Sequence, residues 1–495
     1  MIEGARKPAS MRRTLASPAP LLSAESRAGR LIGASRLRQI ILITVCAGLA
    51  GCASVPDIDQ SAGSPSAAAS KPQIVGAHGP LSARQSKALL ERIGTEPGDA
   101  GVLKRHLAIE QAVAESPLVA GNRTHILRDG AETFPAIFSA IRSAKDHINL
   151  EYYIFEDIES GGQKLGDLLV AKRGEGVAVN VIYDSYGSNN TPSAFFDRLK
   201  QAGVKLVDFN PIDPLNAKNG YAPNDRDHRK ILIVDGATAI IGGVNLSTAY
   251  QGSGIGKSQG QNGESSETWH DIDLQIQGPV VAQLQTLFLE HWTDQKGLPP
   301  GGADFFPKVP PQGTEVVRVI GSTPDEQNPR YYVTLLSAIR NAEKSVWAMA
   351  AYFVPTHQEM EELMEAARRG VDVRLLVPDH SDSPTSLSVQ HASYSDLLEA
   401  GVKIYETQNE VLHSKMVLVD GVWSVIGSSN FDHRSVIFND EVDAVVLGSD
   451  TGNELAAMFE AEQGNARAID LATWDERPIG EKLHETFSRI WENLL

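Results

Sequence analysis

The sequence His228-Arg-Lys-Ile-Leu-Ile-Val-Asp-Gly236 occurs a second time, with small changes, as His413-Ser-Lys-Met-Val-Leu-Val-Asp-Gly421. Both copies have the pattern His-x-Lys-x4-Asp-Gly. Each is followed, at the same distance, by a run of small residues that ends in asparagine: Gly242-Gly-Val-Asn245 and Gly427-Ser-Ser-Asn430. Composition alone predicts about 0.15 matches to such a pattern in a chain of this kind. Two matches with the same downstream run therefore indicate a duplicated unit.

Each copy of the pattern predicts a β-hairpin that carries polar groups at one end. His and Lys two residues apart on a strand point to the same face, and Asp-Gly is typical of a tight hairpin turn. The returning strands are predicted at Thr238–Ile241 and Trp423–Ile426, and each leads to the asparagine. Each half thus offers an imidazole, an ammonium and an amide. This set suits a phosphate, because Lys and Asn can hold its oxygens while His attacks or protonates.

Further sequence matches extend the duplication beyond the two patterns. Ser139–Arg142 has the same sequence as Ser337–Arg340, and Ala202–Lys205 the same as Ala400–Lys403. The segments between them alternate between strand and helix patterns, which predicts an α/β fold. We predict two tandem domains, at 121–298 and 312–495, that are related by a pseudo-twofold axis. Such an axis places both patterns in one interdomain cleft, a favoured position for a ligand site.

Two imidazoles in one cleft can divide a displacement at phosphorus between them. One attacks phosphorus, while the other protonates the leaving alcohol and later deprotonates the acceptor. Neither step needs a metal, and no group of Asp, Glu, Cys and His at ligand spacing accompanies the patterns. We therefore predict no metal and no cofactor.

The paired patterns resemble the HKD motifs of the phospholipase D superfamily, and the nearest resemblance is to bacterial cardiolipin synthases. The resemblance covers about residues 120 to 465. It includes Gly427–Ser435, Asn439–Glu441 and the element Trp269-His-Asp271. It implies two phospholipase D-like domains, one shared active site and a phosphohistidine intermediate.

The resemblance implies six catalytic residues: His228, Lys230, Asp235, His413, Lys415 and Asp420. It favours His228 as the nucleophile and His413 as the general acid, although the spacing decides neither. Both lysines are expected to bind the phosphate. The two aspartates lie at the turns, out of register with the lysines, so a structural role is as compatible with the sequence as a chemical one.

Four more residues are candidates around the phosphate. Asn245 and Asn430 are predicted either as phosphate ligands or as helix N-caps, and both alternatives stay open. A neutral imidazole needs a partner that fixes its tautomer. Asp271 is assigned this task in the first half and Glu441 in the second, each for the imidazole of its own half.

The N-terminal segment 1–52 predicts a bacterial lipoprotein signal. An apolar run from Ile40 to Ala50 is too short to span a bilayer, and Leu49-Ala-Gly-Cys52 resembles a lipobox. We predict acylation of Cys52, with an uncleaved inner-membrane signal anchor as the alternative. Ala53, at the next position, favours the periplasmic face of the outer membrane. Residues 53–120 are predicted as a flexible tether and a helical region.

The formal net charge of −17 disfavours extended binding of nucleic acid. We therefore expect membrane phospholipids as partners, with phosphatidylglycerol as donor and acceptor, and leave the oligomeric state open. The predicted function is phosphatidyl transfer that makes cardiolipin. The alternatives are a phospholipase D that releases phosphatidic acid, and a nuclease of the same superfamily. A noncatalytic lipid-binding protein is disfavoured, because both motifs are intact.

Overall fold

The structure is a computed structural model that describes residues 74–76, 79–93, 116–213, 215, 222–251, 269–300, 304–324, 329–408, 410–478 and 480. All of them belong to one compact unit, Val55–Leu495. Residues 1–52, with Cys46 and Cys52, lie outside the described residues, as do most of the predicted tether and the loop 252–268.

In the described part of the chain, no helix combines the length and the apolar character that crossing a lipid bilayer requires.

Strands and helices alternate along most of the chain, as predicted. The strands are β1 (Ile74–Gly76), β2 (Gly79–Pro80), β3 (Leu118–Arg128), β4 (His147–Tyr152), β5 (Glu159–Ser160), β6 (Gln163–Lys164), β7 (Ala178–Asp184), β8 (Lys205–Phe209), β9 (Arg226–Asp227), β10 (Lys230–Val234), β11 (Thr238–Gly242), β12 (Trp269–His270), β13 (Ile272–Gln277), β14 (Glu315–Ser322), β15 (Ser345–Ala350), β16 (Asp372–Pro378), β17 (Lys403–Thr407), β18 (Val411–Leu412), β19 (Lys415–Val419), β20 (Trp423–Gly427), β21 (Asn439–Leu447) and β22 (Arg467–Ala468). The helices are α1 (Ala83–Ile93), α2 (Asp129–Ser143), α3 (Leu165–Gly174), α4 (Ser193–Gln201), α5 (Val281–Asp294), α6 (Arg330–Asn341), α7 (His357–Arg368), α8 (Pro384–Ala400), α9 (His433–Ile437), α10 (Ser449–Asn465) and α11 (Leu471–Asp475).

The two halves contain sheets with the same strand order. In the first half the order is β8-β7-β4-β10-β11-β13-β3. In the second it is β17-β16-β15-β19-β20-β21-β14. In both, the three outer strands are parallel and the motif strand pairs antiparallel with its neighbours. An antiparallel pairing of β3 with β14 joins the sheets. The predicted fold class, two tandem α/β domains, is confirmed.

The motif strands β10 and β19 are buried along their whole length, because both faces of each strand are covered. In β10, Leu232 and Val234 face a core formed with helices of the first half. Ile231 and Ile233 face the opposite way, into a core that also contains Met416 of β19 and apolar residues of α5 and α10. The two sheets therefore pack against each other through one shared core, which fixes the motifs relative to each other.

A small N-terminal element packs against both halves. Strand β1 lies parallel to β3, and Leu90 and Ile93 of α1 join the apolar core beneath α6 and α7. Helix α1 lies within the predicted helical region, of which residues 94–115 lie outside the described residues.

Candidate active site

Beside the motif histidines, two short parallel strand pairs join the two halves. Strand β9, which leads into His228, pairs with the beginning of β21 from the second half. Strand β18, which leads into His413, pairs with β12 from the first half. The backbone N–H of His228 donates to the carbonyl of Asp440 at 2.9 Å, and that of His413 donates to the carbonyl of His270 at 2.7 Å. Asp440 precedes Glu441 in the chain, and His270 precedes Asp271. Each histidine is thus fixed beside a carboxylate of the opposite half.

His228 is held by Glu441. The ring nitrogen Nδ1 lies 3.0 and 3.1 Å from the two carboxylate oxygens of Glu441, and the Glu441 side chain is fully buried. Nδ1–H therefore donates to the carboxylate, and Nε2 is left for the pocket. Burial lowers the pKa of His228 and Lys230 adds to this, although Glu441 opposes the effect.

His413 is held in the same manner by Asp271. Nδ1 lies 2.6 Å from Oδ2 of the buried carboxylate. The Lys415 ammonium lies 2.9 Å from the same nitrogen, but one nitrogen cannot donate to Asp271 and accept from Lys415 together. The shorter contact with the carboxylate assigns the proton to Nδ1, and Lys415 donates to the His413 carbonyl instead. Burial lowers the pKa of His413 well below its usual value, and Lys415 and Lys230 reinforce this.

The expectation that each carboxylate serves the imidazole of its own half is wrong. Asp271 of the first half holds His413, and Glu441 of the second half holds His228. The reason is the pairing of strands between the halves, which brings β12 beside β18 and β21 beside β9. Neither half contains a complete imidazole–carboxylate pair.

Hydroxyl groups that the sequence analysis did not single out support both carboxylates. Glu441 accepts hydrogen bonds from the hydroxyls of Ser428 and Ser435 and, at 3.1 Å, from the amide of Asn439. Asp271 lies 3.4 Å from the Tyr250 hydroxyl, which also lies 3.1 Å from Nδ1 of His413. Tyr250 and Ser435 occupy matching positions after Asn245 and Asn430, so comparing the two repeats position by position identifies them.

The motif lysines lie at the start of β10 and β19, next to the histidines. Lys230 donates to the carbonyl of His228, and its ammonium lies 5.6 Å from the centre of the Tyr153 ring. Burial lowers the pKa of Lys230 to about 7, and the nearby Lys415 contributes to the shift while Glu441 opposes it. Burial likewise lowers the pKa of Lys415. Two desolvated cations side by side favour an anionic ligand.

Asp235 and Asp420 do not lie with the other motif residues, and their assignment to the catalytic set is corrected. Asp235 accepts hydrogen bonds from the backbone N–H groups of Lys145, Asp146 and His147 at 2.9–3.0 Å. Asp420 accepts three in the same way from residues 343–345. Both have positive φ angles, 50° and 53°. They close the hairpin turns and tie them to the start of the neighbouring strand.

Asn245 and Asn430 are not helix caps. The cap positions after them belong to Ser247 and Asp432, whose side chains accept from backbone N–H groups. The Asn245 side-chain oxygen accepts from the backbone of Ile154 at 3.1 Å. The Asn430 side-chain oxygen has no hydrogen-bond partner among the described residues. Since both asparagines line the same cavity as the two histidines, the cap alternative is removed and the phosphate-ligand alternative stays a prediction.

The cavity has a volume of about 280 Å³. It is lined by Tyr153, Ile154, Arg226, His228, Asn245, Trp269, Tyr352, Asp382, Ser383, Ser386, His413, Asn430, Asp432, Arg434 and Asn439. Aromatic rings surround His413, with the ring centres of Trp269 and Tyr352 at 5.0 and 5.9 Å from the imidazole. Side chains from both halves therefore form one site that combines imidazoles, cations and aromatic walls.

A buried charged cluster lies behind His228. Arg229 donates to Glu151 and Asp440, both at 3.3 Å, and Nδ1 of His291 lies 2.7 Å from Glu151. Glu151, Asp227 and His291 come close enough together to hold a metal ion. Their separation in the sequence concealed this group, because Glu151 lies on β4, Asp227 on β9 and His291 on α5.

The comparisons with known proteins agree with this geometry. A family model described as "Cardiolipin synthase, PLD-like domain" matches residues 137–292 and 335–462, one segment in each half. The chain belongs to this family. The family resemblance expected from the paired motifs is thereby confirmed.

Bacterial cardiolipin synthases align with most of the chain. One from Geobacillus thermodenitrificans is 34% identical over 411 residues, which is 82% of this chain and 78% of the relative. Cardiolipin synthase 1 of Bacillus cereus is 33% identical over 393 residues, 78% of this chain and 75% of the relative. Among solved structures, a phosphatidylserine synthase from Haemophilus influenzae superposes with a TM-score of 0.59 at 14% identity, over 78% of this chain and 99% of that one. That likeness concerns the fold.

Proposed function

We propose that this protein transfers a phosphatidyl group between phospholipid alcohols and makes cardiolipin from two molecules of phosphatidylglycerol. The observation that carries the proposal is the pair of imidazoles in one cavity, each with Nδ1 held by a buried carboxylate of the other half. The similarity to bacterial cardiolipin synthases supports phospholipids as substrates. We therefore continue to propose phosphatidyl transfer as the activity and membrane phospholipids as the partners.

In the first step, Nε2 of His228 attacks the phosphorus of the donor lipid. The bond from phosphorus to the head-group glycerol breaks, and His413 gives a proton to the leaving oxygen. Burial lowers the pKa of His413, but the bound phosphodiester brings a negative charge that favours the protonated ring. Lys230, Lys415, Asn245 and Asn430 hold the phosphate oxygens.

In the second step, the acceptor hydroxyl gives its proton to His413, and its oxygen forms a new bond to phosphorus. The bond between phosphorus and His228 breaks, which restores the free enzyme. Two molecules of phosphatidylglycerol thus give one cardiolipin and one glycerol. Transfer exceeds hydrolysis because the bound lipids and the rings of Tyr153, Trp269 and Tyr352 restrict water in the small cavity.

The reaction is tested with purified protein and phosphatidylglycerol vesicles, followed by chromatography of the lipids. Cardiolipin together with released glycerol is the expected result. Phosphatidic acid alone identifies a phospholipase D hydrolase instead. Cleavage of DNA without any lipid product contradicts both lipid functions.

His228→Ala and His413→Ala are each expected to abolish turnover while the protein stays folded. Trapping the phosphoryl adduct and mapping it by mass spectrometry tests His228 as the nucleophile, and an adduct on His413 reverses the assignment.

The proposed steps use imidazoles and ammonium groups, so activity is expected to survive EDTA. Loss of activity on chelation, restored by a divalent ion, contradicts the metal-free mechanism.

We also propose that the two domains comprise residues 121–298 and 312–495. A further proposal is that acylated Cys52 attaches the protein to the periplasmic face of the outer membrane. The lipobox-like sequence supports the anchor. Cys52→Ser is expected to abolish labelling by a radioactive fatty acid. Equal labelling of the variant and the wild type contradicts this site.

A further inference from the structure

One wall of the active-site cavity carries an acidic residue and several hydroxyl groups. It is formed by Asp382, Ser383 and Ser386, from the segment between β16 and the first turn of α8, together with Tyr352. The Tyr352 hydroxyl donates to Oδ1 of Asp382 at 2.7 Å, and the hydroxyls of Ser383 and Ser386 lie 2.7 Å apart. The exposed side chain of Asp382 is therefore oriented by Tyr352 at the edge of the cavity.

Several other polar groups of the cavity wall have the opposite character, and the second carboxylate there, Asp432, accepts the backbone N–H of Ser435 at 2.7 Å as the cap of α9. Arg226 and Arg434 supply positive charge, and Asn430 and Asn439 supply amides. This part of the wall suits phosphate oxygens. The Asp382 wall does not, because a carboxylate repels a phosphodiester. An ionised carboxylate only accepts hydrogen bonds, and it has acceptor sites left beside the one that Tyr352 occupies, so a neutral hydroxyl group is a suitable ligand for this wall.

Asp382 lies on the side of the cavity where His413 acts. The ring of Tyr352, which holds Asp382, is edge-on to the His413 imidazole with the ring centres 5.9 Å apart. Burial lowers the pKa of His413, and the negative charge of Asp382 partly opposes this shift, so the two groups are within electrostatic reach of each other.

The other half repeats the aromatic ring but not the acidic residue. Tyr153 lies edge-on to His228 with the ring centres 5.4 Å apart, but none of the described first-half residues that line the cavity is acidic. In the strand register, the position that corresponds to Tyr352 is Ile154, which has no hydroxyl group. The wall formed by Asp382 and Tyr352 therefore lies beside His413 and has no counterpart beside His228. The two sides of the otherwise symmetric site differ in this respect.

We propose that Asp382, oriented by Tyr352, is the binding site for the second hydroxyl of a vicinal-diol head group. This inference rests on the proposed function and specifies its alcohol substrates. The reacting hydroxyl gives its proton to His413, while the neighbouring hydroxyl donates to Asp382 and aligns the acceptor. The glycerol that leaves in the first step is also a vicinal diol and passes through the same position. The site thus selects lipids whose head group is a free glycerol over simple alcohols and water.

A competition between two soluble acceptors tests this inference. Phosphatidylglycerol vesicles are incubated with the enzyme and equal concentrations of 1,2-propanediol and 1-propanol, and the two phosphatidyl products are measured. Both acceptors react with the same intermediate, so the product ratio does not depend on how fast that intermediate forms. A merely structural defect lowers both products together and leaves the ratio unchanged.

The wild type is expected to favour the diol by tenfold or more, on the order of one hydrogen bond to a charged group. Asp382→Ala is expected to bring the ratio close to one. Asp382→Asn keeps an acceptor oxygen without the charge, and Tyr352→Phe removes the group that orients the carboxylate, so both are expected to give intermediate ratios. These two variants decide the matter if Asp382→Ala does not fold.

Asp379→Asn is the matched control. Its carboxylate lies three residues before Asp382, is paired with Nδ1 of His380 at 2.8 Å, and does not line the cavity. Its product ratio is expected to equal that of the wild type. A wild type without diol preference, or a preference that survives in the Asp382 and Tyr352 variants, overturns the inference. A wild type that forms no lipid product overturns the proposed function itself.

Discussion

Lys230 is a buried lysine, and burial disfavours its charged form. The loss of this charge is expected to set the alkaline limit of activity. Because burial lowers its pKa to about 7, the ammonium is present below pH 7 and is lost as the pH rises through that value. We predict that kcat/KM, which reports the free enzyme, falls above about pH 7. The measurement is a pH profile of kcat/KM with phosphatidylglycerol.

Lys230→Arg provides the check on this assignment. An arginine stays charged throughout this range, so the alkaline fall is expected to move to higher pH even if the maximum rate is lower. Lys164→Arg, at an exposed position in β6, is the control and leaves the profile as it is. An identical alkaline fall in the Lys230→Arg variant contradicts the assignment.

The crossed carboxylates predict which step each substitution slows. Glu441 holds His228 and Asp271 holds His413. With His228 as the nucleophile, Glu441→Gln is expected to slow formation of the phosphoryl adduct by at least about tenfold. Asp271→Asn is expected to slow both formation of the adduct and its transfer to the acceptor, because His413 is the acid of the first step and the base of the second. Rapid-quench measurement of the adduct distinguishes the two, and the reverse pattern contradicts the crossed assignment.

The hairpin between β10 and β11 depends on Asp235 as a structural residue. Its carboxylate satisfies three backbone N–H groups, so Asp235→Ala is expected to lower the free energy of unfolding by about 1–3 kcal/mol. The folded variant is expected to keep its kcat, since the side chain does not line the cavity. Denaturant unfolding and kinetics on the same preparation measure both.

Asp167→Ala is the comparison for that substitution. Asp167 forms an exposed ion pair with Arg198, and such pairs contribute about 0–1 kcal/mol. A variant of Asp235 that is as stable as the Asp167 variant, but has lost kcat, restores the catalytic interpretation.

These elements also define what the sequence could predict. The hairpins follow from alternation and from the Asp-Gly turns, and β11 and β20 lie within one residue of their predicted ends. The exchange of carboxylates did not follow, because β9, β12 and β18 are two-residue strands with no periodicity of their own. Their pairings join residues more than 140 positions apart, which only the packed molecule specifies. The hydroxyls of Tyr250 and Ser435, by contrast, could have been found from the sequence, because they lie five residues after Asn245 and Asn430.

At the scale of the whole molecule, a buried charged cluster ties the two halves together and makes stability depend on pH. Burial opposes protonation of His291, but Glu151 of the first half and Asp440 of the second raise its pKa to about 9. The unfolded value is about 6.5. The stabilisation is therefore complete below about pH 6.5 and is lost as the pH rises toward 9.

We predict that the melting temperature falls between pH 6.5 and 9, and that it falls less in His291→Gln. The difference between the two proteins isolates this histidine from other groups that titrate in the same window. His357→Gln, at an exposed helical position, is the control and is expected to follow the wild type. Parallel curves for the wild type and His291→Gln contradict the linkage.

The exchange of carboxylates between the halves also determines when the protein first becomes active during its synthesis. A ribosome that has released the first half has delivered His228 but not Glu441, and Asp271 but not His413. No nascent chain can therefore attack a phospholipid before the C-terminal half has emerged and folded against the first. A premature stop codon between the halves accordingly leaves a harmless fragment rather than an unregulated lipase.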